Sequence, residues 1–536
     1  MTSSSRWVAR EPLLAAAAAA TLASLLAWLG PPGTDLAAHA YQRTIFLEHG
    51  FTLWNNFWYA GRYSFISYSI LYYPLAALLG IRLLAVATIA TAALAFTVVL
   101  GREFGPAARW SSRTFAVVWA GIVLSAAFPF ALGVALALLA LWGLQAGRVW
   151  RFALVAALTL AASPLAFLLL TLVLGGTALG RRPNRQVLTR VGLAVTVIGT
   201  GGVVLQRAFP GGGSYPFPFL ELLGALGFCA VGLALTWGVE RARVLCAIFV
   251  VYAAACVAAF LVPSELGGNI ARLRFAALPI GMLVLALRQW KPRIVGVVVL
   301  GLALSWNLSP LLASYASGRS DAAAEPSYWV PAIDYLKQHL TASYRVEAVA
   351  TAGHWEAVYL PRAGIPIARG WFRQDDFPQN RVLYGHPAPK TYVGWLRRLG
   401  ARYVVLTNAA PDYSARAEAA LLRGGRSGLQ AVLRTQQLTI YAVPSPRSLV
   451  TGPAPAQVLR LSQEGIRLAV ARPGTYRLAI RYSAYWQAHG ACVGRGKDGM
   501  MIVTTRRAGV VDVDFDIDAR RLIASLEGGR YRRCSQ

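Results

Sequence analysis

Apolar residues fall in long blocks through residues 13–312 and in short alternating runs near the end of the chain. About 20 consecutive, mostly apolar residues make a helix long enough to cross the hydrocarbon core of a bilayer. Such stretches lie near 13–30, 76–100, 113–128, 129–147, 190–208, 219–238, 244–262, 274–288 and 293–312. A further stretch, 152–180, is interrupted at Ser163-Pro164. It is preceded by Arg148 and Arg151 and followed by Arg181, Arg182 and Arg185. Basic residues at both ends put both on one side of the membrane, which predicts two short helices in a hairpin. One long tilted helix is the alternative. With the hairpin the chain has eleven spans.

The pattern then changes. Residues 328–445 combine a helical stretch, Trp329–Leu340, with strand-like runs such as Tyr403–Leu406 and Leu438–Val443. Beyond about 446 the alternation is that of strands, as in Tyr476–Tyr482 and Gly509–Ile517. The fold class predicted is an α-helical polytopic membrane protein with a C-terminal α/β plus β-sandwich region. Its transmembrane domain covers 1–312 and includes a first outer loop, 31–75. An α/β module over 313–445 and a sandwich-like module over 446–536 follow, together long enough for a core of their own.

Composition agrees. Of 536 residues 56% are hydrophobic and 14% charged, and the mean hydropathy is +0.49. A soluble domain carries about 25% charged residues, and a disordered chain lacks this much apolar surface, so both classes are excluded. A net charge of +29 raises the question of nucleic acid. The basic residues answer it by their positions. Arg6 and Arg10; Arg102, Arg109 and Arg113; Arg148 and Arg151; Arg241 and Arg243; and Arg288, Lys291 and Arg293 all fall on one side of an eleven-span layout. That side is the cytoplasm, so the N-terminus is expected inside and residues 313–536 outside. The partner expected is a lipid bilayer, not nucleic acid. Arg6, Arg10, an apolar run and Ala38-His39-Ala40 also resemble a cleaved signal peptide. The run is too long and the site too far beyond it, so an uncleaved first span is predicted.

Cys229, Cys246 and Cys256 fall in spans and read as packing residues. Cys492 and Cys534 fall in the outer region, where a disulfide persists, and are expected to pair. No metal-ligand spacing occurs, and no cofactor is expected.

Seven acidic residues precede residue 310, and four of them, Asp35, Glu48, Glu221 and Glu265, lie on the outer side. The first outer loop is the densest in candidate chemistry. Asp35 and His39 stand four apart and would share one helix face, with helix capping the plainer role for Asp35. A carboxylate beside a bilayer needs a partner. Substrate-binding candidates in the same loop are Glu48, His49, Trp54, Asn55, Trp58, Tyr59 and Arg62. The aromatic residues there suit stacking on sugar rings or an interfacial belt at headgroup level. In Pro263–Arg274, a glycine pair precedes a helix carrying Arg272 and Arg274, with Glu265 and Asn269 beside it. This suits an anion, phosphate above all, or else arginines that reach for headgroups. His354, Trp355 and Glu356, together with Arg369–Asp376, are either binding loops or ordinary solvated ones. Gly211-Gly212-Gly213 reads as a flexible turn.

The run Thr34–His39, Glu48-His49-Gly50, Trp54–Gly61 and Tyr72-Tyr73-Pro74-Leu75 resembles the first outer loop of C-type membrane glycosyltransferases. It is most similar to bacterial membrane proteins labelled 6-pyruvoyl-tetrahydropterin-synthase-related, whose first loop has an Asp-x-x-x-His pattern; nothing here points to pterin chemistry. The layout also resembles arabinosyl and mannosyl transferases of actinobacterial envelopes. The resemblance implies a polyprenyl-phosphate-linked sugar as donor and an envelope glycan or glycolipid acceptor outside the membrane. It implies Asp35 as general base, His39 orienting it or binding sugar, and Arg272 and Arg274 with Asn269 at the donor phosphate. No second acidic residue stands beside Asp35, so a divalent metal is not supported. A non-enzymatic transporter, or an assembly or scaffold protein for envelope glycolipids, is the rival reading. The missing two-half repeat argues against a secondary transporter.

Overall fold

A computed structural model of the chain describes residues 3–181, 184–211 and 213–528. Arg182, Gly212 and Cys534 lie outside the described residues, as does the side chain of Arg6. The chain divides into two compact units. Met1–Leu36, Tyr68–Val203 and Ser214–Arg319 form the first; Ala37–Ser67, Val204–Gly213 and Ser320–Gln536 form the second.

The first unit is helical, as its apolar blocks require. Among the described residues, nine helices are long and apolar enough to cross a membrane, which makes this a multi-pass membrane protein. The longest, Ile81–Ser125, contains two runs, Ile81–Phe104 and Arg109–Ala120 with its extension Ile122–Ser125, joined by the turn Gly105–Ala108. Counting these separately and adding the shorter Val149–Ala162 gives eleven apolar helical stretches. The interruption at Ser163-Pro164 is real: Ser163 is extended, at φ −160° and ψ 110°. Proline disfavours a helical residue before it, and its ring cannot continue the ladder. The Ser163 Oγ then accepts a hydrogen bond from the Ala166 N–H at 3.3 Å and caps the next helix.

Packing within this unit relies on small residues. Ala15, Ala19 and Ala23, one turn apart, are buried against Ile89, Ala92, Ala93 and Phe96. A Cβ on Gly176 would stand 2.6 Å from the Ile248 side chain. Lipid supplies no hydrophobic drive between helices, so close backbone approach and dispersion must hold them. Leu13, Leu14, Ile294 and Val297 point outward, as suits a lipid-facing surface.

Among the described residues, the second unit holds three four-stranded sheets. One runs in the order Arg345–Ala348, Ala401–Thr407, Leu438–Ala442, Gln430–Arg434, its first pair parallel and the rest antiparallel. Tyr392, Trp395, Leu396 and Leu399 of the helix Pro389–Leu399 pack on Val404 and Leu406 of this sheet. The other two sheets form a sandwich. One is ordered Ala491–Arg495, Met500–Thr505, Gly474–Arg481, Val450–Thr451; the other Trp486–Ala488, Gly509–Phe515, Gly465–Val470, Ala456–Leu461. Alternate residues of both, Ile466, Leu468, Val470, Tyr476, Leu478, Val503, Val511 and Val513, share one core. That alternation is the period-two pattern of half-buried strands.

The first outer loop differs from its expected place in the transmembrane domain. Residues 37–67 belong to the second unit. There Trp54–Asn55 pairs with Arg62–Tyr63, and Trp54 and Tyr63 sit in the sandwich core. Residues 204–213 belong to it too, so the last turn of the apolar helix Arg185–Ala208 is counted with this unit. Cys229, Cys246 and Cys256 are free, whereas Cys492 is disulfide-bonded.

Candidate active site

Residues 33–36 run beside the short helix Ile122–Ser125. The Thr34 N–H donates to the Leu124 carbonyl and the Asp35 N–H to that of Ser125, both at 3.0 Å. The approach is close enough that a Cβ on Gly33 would lie 2.4 Å from the Val123 carbonyl oxygen, so only glycine fits there. Backbone pairing therefore fixes Asp35, one residue ahead of the helix Leu36–His49.

Asp35 lines a cavity of about 840 Å³ within the first unit. The cavity follows the whole 18-residue helix Phe128–Gln145, about 27 Å at the α-helical rise. Its walls are apolar apart from a few helix hydroxyls, two amides and four charged residues, Asp35, Glu103, Arg181 and Arg272. Glu103 and Arg181, toward the Gln145 end, form an ion pair with each other. Arg272 makes no ion pair or side-chain hydrogen bond among the described residues; its guanidinium lies 5.3 Å from the Phe130 ring centre. A cation that makes no ion pair on a largely apolar wall favours an anionic ligand.

The segment carrying Arg272 is not the α-helical start that the glycine pair predicted. Gly267–Ala276 is a ten-residue 3₁₀ helix, longer than such helices usually run. Gly267, at φ +43°, stands where a Cβ would lie 2.0 Å from the Tyr215 carbonyl oxygen. The Gly268 N–H donates to the Pro216 carbonyl at 3.3 Å. The glycines thus allow close backbone packing on residues 215–216, and the N–H groups expected at an anion are turned to protein. Two side chains pin the segment. The Tyr252 hydroxyl donates to the Ile270 carbonyl at 2.9 Å, and Asn307 bridges the Leu278 N–H and the Arg274 carbonyl. Arg274 does not line the cavity but faces Glu221 at 3.5 Å. Glu265 and Asn269 lie in the same stretch, partly exposed, and neither lines the cavity.

Sequence reasoning missed several of these groups. Tyr68 lies near enough to both Asp35 and Arg272 to feel their charges; burial pushes its hydroxyl above the ordinary value, Arg272 works against this and Asp35 adds to it. Ser314 and Asn307 also line the cavity. An amide inside the apolar run 293–312 was the available signal for Asn307. Nothing in the sequence marked Tyr68 apart from its neighbours.

The remaining candidates belong to the second unit. Glu48 and His49 are exposed and 4.0 Å apart. His39 is buried, its ring centre 6.2 Å from that of Trp371. Trp54 is 2% and Trp58 0% exposed, and Tyr59 is buried as well. The Trp54 ring stacks on Phe515 and its Nε1 donates to Asn56 Oδ1 at 2.8 Å; Trp58 Nε1 donates to the Ala357 carbonyl at 2.9 Å. Neither sugar stacking nor a headgroup belt is open to rings covered on both faces, so these aromatics are core residues. Asn55 Oδ1 accepts from the Phe57 N–H, and Arg62 joins Asp375 at 2.7 Å beneath the Phe372 ring.

The expected outer-loop cluster is likewise internal. His354, held in the left-handed region at φ 56°, sits 3.4 Å from Glu356 and 3.7 Å from Asp412. Burial lowers its pKa, but the two carboxylates outweigh burial and bring it up to about 9. Glu356 also accepts from the Thr351 N–H and hydroxyl, and Trp355 stacks on Tyr359. Among the described residues, no group of three or more His, Cys, Asp or Glu side chains is placed to hold a metal ion.

No family model matches the chain, and no curated protein matches it in sequence. Among solved structures it is similar to the arabinofuranosyltransferase AftD from Mycobacteria, at 16% identity and a TM-score of 0.47, over 96% of this chain and 57% of that one. A mutant of AftD gives 15% and 0.46, over 95% and 59%. The archaeal oligosaccharyltransferase AglB from Archaeoglobus fulgidus, in complex with an inhibitory peptide and a dolichol-phosphate, gives 15% and 0.36, over 74% and 69%. The chain therefore spans little more than half the length of the AftD structures, 57% and 59%.

Proposed function

We propose that the chain is a membrane glycosyltransferase that moves a sugar from a polyprenyl-phosphate donor to a cell-envelope acceptor. The observation that carries this reading is that Asp35 and Arg272 line one largely apolar cavity. An amphiphile with an isoprenoid chain and an anionic head matches both parts of that wall. In the reaction, Asp35 takes the proton of the acceptor hydroxyl as its oxygen bonds to the anomeric carbon. The bond from that carbon to the phosphate oxygen breaks, and the electron pair leaves with the polyprenyl phosphate, whose charge Arg272 stabilises. Arg274, engaged by Glu221, is left out of the reacting set. The basic loops orient the site toward the extracytoplasmic side, with the N-terminus in the cytoplasm and the C-terminal region outside.

The test uses the purified full chain in lipid nanodiscs with a polyprenyl-phosphate sugar. Asp35→Asn is expected to lower transfer by about 10²–10⁴-fold while donor binding persists. Undiminished transfer by that variant would remove Asp35 from the mechanism. The extension of the cavity to Glu103 and Arg181 favours, as a second reading, a carrier of envelope glycolipids. Lipid movement across a vesicle membrane by a chain that transfers no sugar would select it.

A further inference from the structure

Two helices of the first unit, Phe128–Gln145 and Val149–Ala162, are joined by a tight turn, Ala146-Gly147-Arg148. The Gly147 N–H donates to the Leu144 carbonyl at 2.9 Å and the Arg148 N–H to that of Gly143 at 3.0 Å. Gly147 stands at φ +72°, in the left-handed region that favours glycine. Phe128–Gln145 is itself long and apolar enough to cross a membrane. Its 18 residues rise about 27 Å, close to the ~30 Å of the hydrocarbon core, so the turn stands at headgroup level.

Three arginines gather there. Arg148 belongs to the turn, and Arg151 lies in the first turn of the second helix. A Cβ on Gly143 would lie 3.5 Å from that of Arg151. Arg102 arrives at the end of the neighbouring helix Ile81–Phe104, whose Val99 carbonyl accepts from Gln145 Nε2 at 3.0 Å. Two indoles lie against the guanidiniums. Arg102 is 5.9 Å from the Trp142 ring centre and Arg151 5.2 Å from that of Trp150. All three arginines are exposed, and none makes an ion pair or a side-chain hydrogen bond among the described residues. The acid next to Arg102, Glu103, is engaged by Arg181, and residues 104–220 contain no aspartate or glutamate. From Arg151 an apolar stripe runs back along the second helix. Trp150, Leu154 and Leu158 stand one turn apart on it, Trp150 65% and Leu154 56% exposed.

We infer that this turn binds one anionic phospholipid, with its phosphate among Arg102, Arg148 and Arg151 and an acyl chain along Trp150, Leu154 and Leu158. Any bilayer covers the stripe with lipid, and the uncompensated arginines choose a lipid whose head is anionic. Guanidinium forks suit phosphate oxygens, and basic pockets between spanning helices hold such headgroups. The turn follows the Gln145 end of the helix, whereas Phe130, beside Arg272, lies in its first turn. The assignment does not depend on the reaction at Asp35.

The test is native mass spectrometry of the purified full chain in detergent, titrated with phosphatidylglycerol or with phosphatidylcholine. The first phosphatidylglycerol adduct is expected at about tenfold or more the level of phosphatidylcholine. Arg102→Gln should weaken that adduct about fivefold, and Arg148→Gln with Arg151→Gln about 25-fold, as each arginine near a lipid phosphate contributes about fivefold. The control, Arg241→Gln with Arg293→Gln, removes as much charge from exposed positions at other turns and should leave the adduct unchanged. Equal retention of the two lipids, an equal loss from both double variants, or a dimer that carries no lipid would overturn the assignment.

Discussion

Two arginines show how differently the two units hold charge. Arg272, in the first unit, lines a largely apolar cavity and makes no ion pair among the described residues. Arg369, in the second, is buried and clasped by Asp376 through two hydrogen bonds at 3.2 and 2.8 Å, with Ser414 and Glu418 nearby. Around it lie Glu347, fully buried and held well above the usual carboxylate range by burial and then by Glu418, and Glu418 itself, pushed up by burial to about 7. A buried charge ringed by carboxylates makes a fixed interior, and one without an ion pair beside a cavity suits a binding wall. The difference teaches where to look for function. Density of charge marks architecture in the second unit, and its scarcity marks the chemistry proposed for the first.

The contrast can be broken at either end. Arg369→Ala should leave Asp376 buried without its cation and destabilise the second unit by about 3–5 kcal/mol, measured by chemical denaturation. A loss within the range of a surface substitution would mean the cluster is not structural. Arg272→Gln should lower sugar transfer by about 10²–10³-fold, as removal of a donor to a developing anion does, with the melting temperature unchanged. A fall in stability without a fall in transfer would reverse the roles of the two arginines.

The smallest effect is a pH slope from His354. Its folded pKa of about 9 exceeds the ordinary value of 6.5, so its contribution to stability is complete below 6.5 and is lost as the pH rises through 9. Melting temperature should therefore decline between pH 6.5 and 9, and His354→Gln should flatten that decline. An unchanged slope in the variant would place the titration elsewhere.

Much of the fold could be read from the sequence because the signals were long. Runs of about 20 apolar residues have few alternatives, and Ser163-Pro164 marked its break through a proline. The strand pattern at 509–517 matched the strand Gly509–Phe515 because alternation has one meaning on a half-buried sheet. The site was harder to read. A tryptophan that stacks on sugar, one at a headgroup belt and one in a core look alike as letters, so the fate of Trp54 rested on residues some 400 positions later and that of Trp58 on Ala357 and Phe372, some 300 positions later. Gly267-Gly268 fits an anion nest or a close backbone approach equally well, and only the Tyr215 carbonyl decides between them. Asp35 was conspicuous because carboxylates are rare in that half of the chain, whereas Tyr68 had no such scarcity to reveal it.

The inclusion of residues 37–67 in the second unit bears on how the protein is made. The backbone N–H groups of Leu53 and Trp54 donate to Glu464, residues 411 and 410 positions away. Pairings so distant form slowly, because a very long loop must close before any contact rewards it. During synthesis Trp54 and Tyr63 emerge early and stay uncovered until the sandwich strands exist. Over that interval they are an aggregation hazard of the kind chaperones guard. Completion of the last strands is therefore the event that commits Trp54 and Tyr63 to their final packing.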